Sequence, residues 1–335
     1  MFELTTLDSL PSSFYEDSLE EFLAEFENPV IFNLDGEISD QPIFISTLLH
    51  GNELSGIIAL RRYFKKFKGQ LLPRKVILLL GNIEATKKHI RKHDDEPDYN
   101  RIWNSNGKTG YHQKAREILD FVKKANPLLC LDLHNNTGKN PMYACINKLE
   151  MDHVYLAKLF AETVVYFTEP SEVMSVNCAK FAPSLTIEAG ISENEEGILK
   201  LIGFFEKVFS LTCLKNFEEK QFEIFHTFAK IKVSKSSTVS FHDRECDLVF
   251  RADLDEFNFL KQPPGMVLGN YKDNKSGIII IDSNGSDITD LFIKYDDNEI
   301  VLKREFIPSM FTKNVKVIHQ DCLGYLMEKC TVLKE

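Results

Sequence analysis

Two short stretches of this chain end in residue types able to hold a metal ion. The first, IFISTLLHGNE at 43–53, delivers His50 and Glu53, three residues apart, into a turn marked by Gly51. The second, PLLCLDLH at 127–134, ends in His134 and carries Asp132 two residues earlier. An imidazole and a carboxylate in one turn can converge on a zinc ion, which accepts nitrogen and oxygen ligands. Alone, the first pair is unremarkable: among 9 histidines and 50 acidic residues a His-x-x-Glu arises by chance, and a histidine and glutamate at a helix start is the plainer reading. The second stretch shifts that balance. Period-two alternation places Asp132 and His134 on the same side of a strand, where a carboxylate steadies a metal-bound histidine or a neighbouring ligand. Together the stretches define a His50, Glu53, His134 set with a fourth position left to water, the catalytic form of zinc.

The elements that must present these groups can be read outward from them. Ile43, Phe44, Ile45, Leu48 and Leu49 make a strand that is apolar on both faces, as strands of parallel or mixed sheets are, and open α/β sheets bind ligands at their carboxyl edge. A helix over 54–67 follows, and its trailing Arg61, Arg62, Lys65, Lys66 and Lys68 complement a helix C-terminus rather than mark an anion site. Residues 76–80 form a further buried strand, and the polar, irregular passage 82–101 after it is where functional loops sit. Helices are expected over 13–26, 111–124, 149–160 and 192–209, and strands over 29–34, 164–167 and 184–188, with a turn at Asp35-Gly36. The 184–188 strand carries Glu188 to its carboxyl end. Helix and strand alternate, which predicts an α/β fold.

Beyond residue 216 the texture changes. Short apolar runs such as GMVLGNY, SGIIIID and EIVLKREFI alternate with turn signals at Pro263-Pro264-Gly265 and Asp282-Ser283-Asn284-Gly285, which predicts a β-rich lobe. The expected organisation is a catalytic α/β domain over 1–216, with a mixed sheet flanked by helices, and a smaller β-rich domain over 217–335.

His50-Gly-Asn-Glu53, Asn100-Arg101, His134 in LDLHNNTG and Glu188 in TIEAG, in that order, resemble the succinylglutamate desuccinylase and aspartoacylase family, which is related in fold to the zinc carboxypeptidases. The resemblance covers about residues 40–200. It implies one zinc per chain on His50, Glu53 and His134, with Glu188 as general base and Arg91 as stabiliser of the oxyanion. It also implies that Asn100 and Arg101 hold the substrate's carboxylate and that the C-terminal domain covers the active-site cleft. The physics agrees for the arginines, since a guanidinium grips a carboxylate bidentately and stays charged when partly dehydrated. The implied activity is hydrolysis of a small N-acyl amino acid. Aspartoacylases place an arginine shortly before the general base, where this chain has SVNCAKFAPS with Cys178 and Lys180, so the acyl group and amino acid stay open. A metallocarboxypeptidase acting on peptides, or a non-catalytic binding protein retaining the zinc site, are the competing readings. His89 and His93 are expected as exposed loop residues, and His226, His242 and His319 lack partners at metal spacing.

Composition narrows the setting. With 335 residues, 43% apolar and 27% charged, the chain has an ordinary globular make-up and ample volume for a core. A net charge of -10 argues against nucleic acid, which demands a basic face. The N-terminal stretch lacks the basic start and apolar core of a signal peptide, and no run is long enough to span a bilayer, so a cytoplasmic location without membrane partners is expected. Homo-oligomerisation is compatible with the sequence. The 7 cysteines, odd in number and without Cys-x-x-Cys spacing, read as reduced thiols.

Overall fold

The computed structural model describes residues 3–104, 106–211, 221–243, 245–272 and 277–333. The chain divides into two compact units, one of Met1–Asn135, Met142–Phe222 and Val332–Glu335, the other of Asn136–Pro141 and Glu223–Thr331. The domain boundary expected at 216/217 lies outside the described residues, as does Cys213.

The first unit is a helix-flanked mixed sheet. Its strands are β1 (Thr5–Leu7), β2 (Val30–Leu34), β3 (Gly36–Thr47), β4 (Leu72–Leu80), β5 (Leu129–His134), β6 (Tyr143–Ile146), β7 (Val164–Tyr166) and β8 (Ser184–Glu188), in the spatial order β1-β2-β4-β3-β5-β8-β6-β7. β4, β3, β5 and β8 are mutually parallel neighbours, so their carboxyl ends share one edge. Antiparallel pairing of β2 with β4 and of β6 with β8 makes the sheet mixed. The register sets Ser46 beside Asp132 and His134 beside Glu188.

The accompanying helices are α1 (Ser13–Glu16), α2 (Leu19–Ala24), α3 (Ser55–Phe64), α4 (Ile83–Lys87), α5 (Gly110–Lys124), α6 (Met151–Phe160), α7 (Met174–Cys178) and α8 (Glu195–Phe209). Strand alternation divides them between the two faces. Phe44, Ile77, Leu79 and Cys130 pack with Ala115, Ile118 and Val122 of α5 and Met174 and Cys178 of α7. On the opposite face Gly56 of α3 sits against Thr47 and Leu133, so closely that an added Cβ would lie 2.9 Å from Leu133 Cβ. α8 packs on α3 and α6, and α6 on β6 and β8.

Several elements depart from expectation for local reasons. The single helix expected over 13–26 is two, because Ser18 Oγ accepts from Glu21 N at 3.1 Å while Glu21 Oε2 accepts from Ser18 N at 2.9 Å, a capping box that starts a new helix. β3 reaches back through Pro42 to Gly36. The irregular passage holds α4, capped by Asn82 Oδ1 accepting from Ala85 N at 3.1 Å. β6 and α7, each short, were not anticipated.

The second unit is β-rich. Its strands are β9 (Gln221–Val233), β10 (Val239–Ser240), β11 (Leu248–Phe250), β12 (Val267–Tyr271), β13 (Ile278–Asp282), β14 (Ile293–Asp296), β15 (Glu299–Leu302), β16 (Ile307–Ser309) and β17 (Gly324–Leu333). β13, β9, β17 and β16 lie side by side, and β10-β11-β12-β15-β14 form a separate sheet. Ile231, Leu248, Phe250, Leu268, Ile280, Ile300, Phe311 and Leu326 share its core. The short excursion Asn136–Pro141 is built into this unit: Thr137 Oγ1 donates to Thr312 Oγ1 at 2.9 Å, Met310 N to Asn140 Oδ1 at 2.8 Å, and Asn258 Nδ2 to Lys139 O at 3.2 Å. Among the described residues no helix is long and apolar enough to cross a membrane, and the described cysteines are all free thiols.

Candidate metal centre

The carboxyl edge of the parallel strands carries the site. β3 ends at Thr47, and the chain turns through Leu48, which takes a left-handed φ of 60°, before presenting His50 and Glu53. This turn is clamped on both sides. Asn82 N donates to Leu48 O at 2.7 Å and Gly51 N to Arg91 O at 3.2 Å. Gly51 lies so close to α4 that an added Cβ would fall 2.2 Å from the carbonyl carbon of Ala85. His134 is the last residue of β5.

His50, Glu53 and His134 are all buried and converge as the sequence predicts. Glu53 lies between the two rings, its Oε1 2.9 Å from His50 Nδ1 and its Oε2 2.7 Å from His134 Nδ1. One donor atom from each of the three lies within 4.8 Å of the others, and the group could hold a metal ion. Each ring turns its other nitrogen to a carboxylate: His134 Nε2 is 2.9 Å from Asp132 Oδ2, and His50 Nε2 is 3.0 Å from Asp98 Oδ1. Metal-binding histidines ordinarily have such a partner, which fixes the tautomer and the ring plane. The donor set and its support therefore fit a divalent ion of zinc's preferences.

The electrostatics follow from burial and close charges. Burial pushes the Glu53 carboxyl up, but the His50 and His134 imidazoles outweigh it and hold the group well below the usual carboxylate range. Burial pulls both histidines down, yet His134 ends well above its ordinary value because Asp132 and Glu53 flank it. His50 is raised by Glu53 and Asp98 against burial and the Arg91 charge. Glu188 behaves in the opposite way to Glu53. Burial raises its carboxyl to about 7, and its Oε2 is buried without a hydrogen-bond partner.

The polar passage supplies the rest. Asp98 caps the turn at Tyr99–Arg101 by accepting from Asn100 N at 2.8 Å, and it receives Arg91 Nε at 3.0 Å and Nη2 at 2.9 Å. Arg91 Nη1 also lies 4.0 Å from Glu53 Oε1. Burial raises Asp98, but Arg91, His50 and Arg101 together leave it well below its ordinary value. Asn100, expected beside the substrate's carboxylate, has its amide committed elsewhere. Its Oδ1 accepts from Met174 N at 2.9 Å, and its Nδ2 lies 3.1 Å from His134 Nε2 and 3.4 Å from Asp132 Oδ2. With the Nε2 proton directed at Asp132, that amide donates to Asp132. Arg101 is half-buried and donates Nη1 to Asn100 O at 2.9 Å.

Of the remaining histidines, His89 is exposed and His93 half-buried, and neither joins the metal group. Sequence reasoning missed Asp98. Its signal was available as an acid two residues before Asn100, the spacing at which an aspartate caps a turn.

Residues 39–194 match the family model of the succinylglutamate desuccinylase/aspartoacylase catalytic domain. Solved structures share the fold over most of the chain. The succinylglutamate desuccinylase from Vibrio cholerae aligns with a TM-score of 0.59 and 17% identity, covering 95% of this chain and 96% of that one. Murine aminoacylase 3 gives 0.58 and 15%, covering 87% and 96%, and the succinylglutamate desuccinylase from Chromobacterium violaceum 0.56 and 16%, covering 89% and 86%. At such identities the likeness is one of fold. No curated protein matches the chain at significant sequence similarity. The mixed sheet with the His50, Glu53 and His134 group at its carboxyl edge places the protein in the α/β class that these structures represent. The family-model match spans residues 39–194, just under half of the chain.

Proposed function

We propose that the protein is a zinc-dependent amidohydrolase that splits a small N-acyl amino acid into a carboxylic acid and a free amino acid. The observation that carries this reading is the juxtaposition of the convergent His50, Glu53 and His134 donors with Glu188, register-paired to His134 and holding an unpartnered carboxylate oxygen. Bound zinc would supply Lewis acidity toward water and the amide carbonyl. Glu188 takes the proton of the attacking water on its free oxygen and returns it to the leaving nitrogen, a task for which a carboxyl raised by burial suits. Arg91, held by Asp98 beside Glu53, places positive charge where the carbonyl oxygen becomes an anion. Arg101 anchors the carboxylate of the amino acid. Asn100, by its contacts, orders Asp132 and His134 beneath it and carries Arg101 on its carbonyl.

The test is turnover of a panel of N-acetyl and N-succinyl amino acids, beside dipeptides, by protein of measured zinc content. Release of free amino acid from the acyl substrates by protein holding one zinc per chain is the expected result. Cleavage of peptides alone would make it a carboxypeptidase, and zinc binding without turnover of anything would make it a binding protein.

A further inference from the structure

The proposed chemistry draws its metal ligands and its base from three separate segments: the turn after β3, the end of β5, and the end of β8. Their relative placement must hold to a fraction of an ångström, because a misplacement of about 1 Å can lower a rate about a hundredfold. The described hydrogen bonds gather at Asn135, the residue after His134. Its backbone N donates to Glu53 Oε2 at 3.2 Å. Its side-chain Oδ1 accepts from Ser55 N at 3.2 Å, and its Nδ2 donates to Ser55 Oγ at 3.0 Å and to Gly190 O at 2.9 Å. Ser55 Oγ in turn accepts from Glu193 N at 2.9 Å, and Ser192 Oγ accepts from Leu54 N at 2.9 Å.

We infer that Asn135 is a positioning residue that fixes the Glu188 segment against the metal-binding turn. The assignment follows from the atoms. Ser55 N is a donor and Gly190 O an acceptor, so only a group offering an acceptor on one side and a donor on the other bridges them, and the asparagine amide does so with both Nδ2 hydrogens and Oδ1 engaged. Asn135 is buried, so each bond it loses leaves an unsatisfied group. The bridge also caps α3. Leu54 at its N-cap makes no side-chain cap, and the free N–H groups of Leu54 and Ser55 are taken instead by Ser192 and Asn135. The helix that follows Glu53 and the loop that follows Glu188 are thus closed against each other. Glu193 takes a left-handed φ of 64°, uncommon for a residue with a Cβ, so the loop holds a conformation that its outside hydrogen bonds help to keep.

The inference rests on the proposed function for its kinetic consequence only. Asn135→Asp keeps size and the bond from Ser55 N but sets an oxygen against Gly190 O. Zinc-loaded wild type and variant are compared by zinc affinity in chelator competition, by amide hydrogen exchange over 188–193, and by kcat and KM on an N-acetyl amino acid that wild type cleaves. We expect zinc affinity and KM within about threefold of wild type, exchange faster by roughly tenfold, and kcat lower by roughly tenfold to a hundredfold. Ser55→Ala should loosen the same segment, whereas Ser55→Thr, which keeps the hydroxyl, should restore it. Wild-type exchange over 188–193 in Asn135→Asp overturns the inference, as does a kcat loss matched by zinc loss. If Asn135→Asp fails to fold, Ser55→Ala against Ser55→Thr decides by the same readouts. If wild type cleaves no acyl amino acid, the functional reading fails, and exchange and zinc affinity still decide the role of Asn135.

Discussion

His134 and His50 meet the same carboxylate, Glu53, yet their far nitrogens are held in different ways. His134 takes its partner, Asp132, from its own strand, fully buried and in register beside Ser46. His50 takes Asp98 from an irregular passage, and Asp98 is shared with Arg91. One half of the site is set by the sheet. The other depends on an ion pair, one member of which, Arg91, is proposed to meet the oxyanion. A strand-borne support carries one task, whereas a loop-borne support couples several, so equivalent substitutions in the two halves should give different phenotypes.

The largest effects fall on the donor histidine of each half and on Glu188. His50→Ala and His134→Ala should each abolish stoichiometric zinc binding while circular dichroism stays native, because the apolar core does not depend on the ion; full zinc occupancy in both variants would remove the assignment. Glu188→Gln, on the strand side, should retain zinc and lose at least about a hundredfold in kcat. A Gln variant near wild-type rate would move the base elsewhere.

The comparison is sharpened by the paired carboxylates. Asp132→Asn should weaken zinc binding by roughly tenfold to a hundredfold while the zinc-saturated enzyme keeps most of its kcat. Asp98→Asn should weaken zinc binding similarly and also lower saturated kcat, because Arg91 loses its anchor and is drawn toward Glu53. Identical kinetic profiles for the two variants would break the distinction. Within the loop half, Arg101→Ala should chiefly raise KM, whereas Arg91→Ala should lower kcat and kcat/KM together, by about 2.7 to 4 kcal/mol if it acts as an oxyanion donor.

The smallest expected effect comes from an imidazole outside the site. His153 in α6 is buried without a hydrogen bond, and burial lowers its pKa from 6.5 to about 4. Below pH 6.5 the unfolded chain therefore binds the proton that the folded one refuses, and stability falls as pH drops toward 4. By pH 5.5 the loss is about 1 kcal/mol. Denaturant unfolding of wild type and His153→Leu between pH 7.5 and 5.5 measures it, and equal slopes would show that another group is responsible.

The same division explains what could be read before folding. The strand half was legible because apolar runs ending in His50 and His134 announce a sheet edge, and a period of two puts Asp132 under His134 without further information. Glu188 was placed by its strand, and its register partner by the sheet. The loop half was not. In NIEATKKHIRKHDDEPDYNR the position of Asp98 two residues before Asn100 signals a turn cap, but nothing local signals its pairing with His50, at a sequence separation of 48. Asn100 was expected on the substrate, and its amide proved committed to Met174 N and Asp132 through contacts with α7, an element too short to carry a periodic signal. Asn135, in LDLHNNTG, carries no local signal beyond residue types common in turns, because Ser55 and Gly190 reach it only through the fold.

The excursion Asn136–Pro141 bears on how the protein is made. Its anchors, Asn258, Met310 and Thr312, lie 119 to 175 residues further along the chain. A ribosome delivers His50, Glu53 and His134 early and these anchors late, and pairings of such long sequence separation are slow to close. The segment Asn136–Pro141 therefore cannot take its final hydrogen bonds until residues 258–312 have been synthesised, so its closure is timed by segments that emerge more than a hundred residues later.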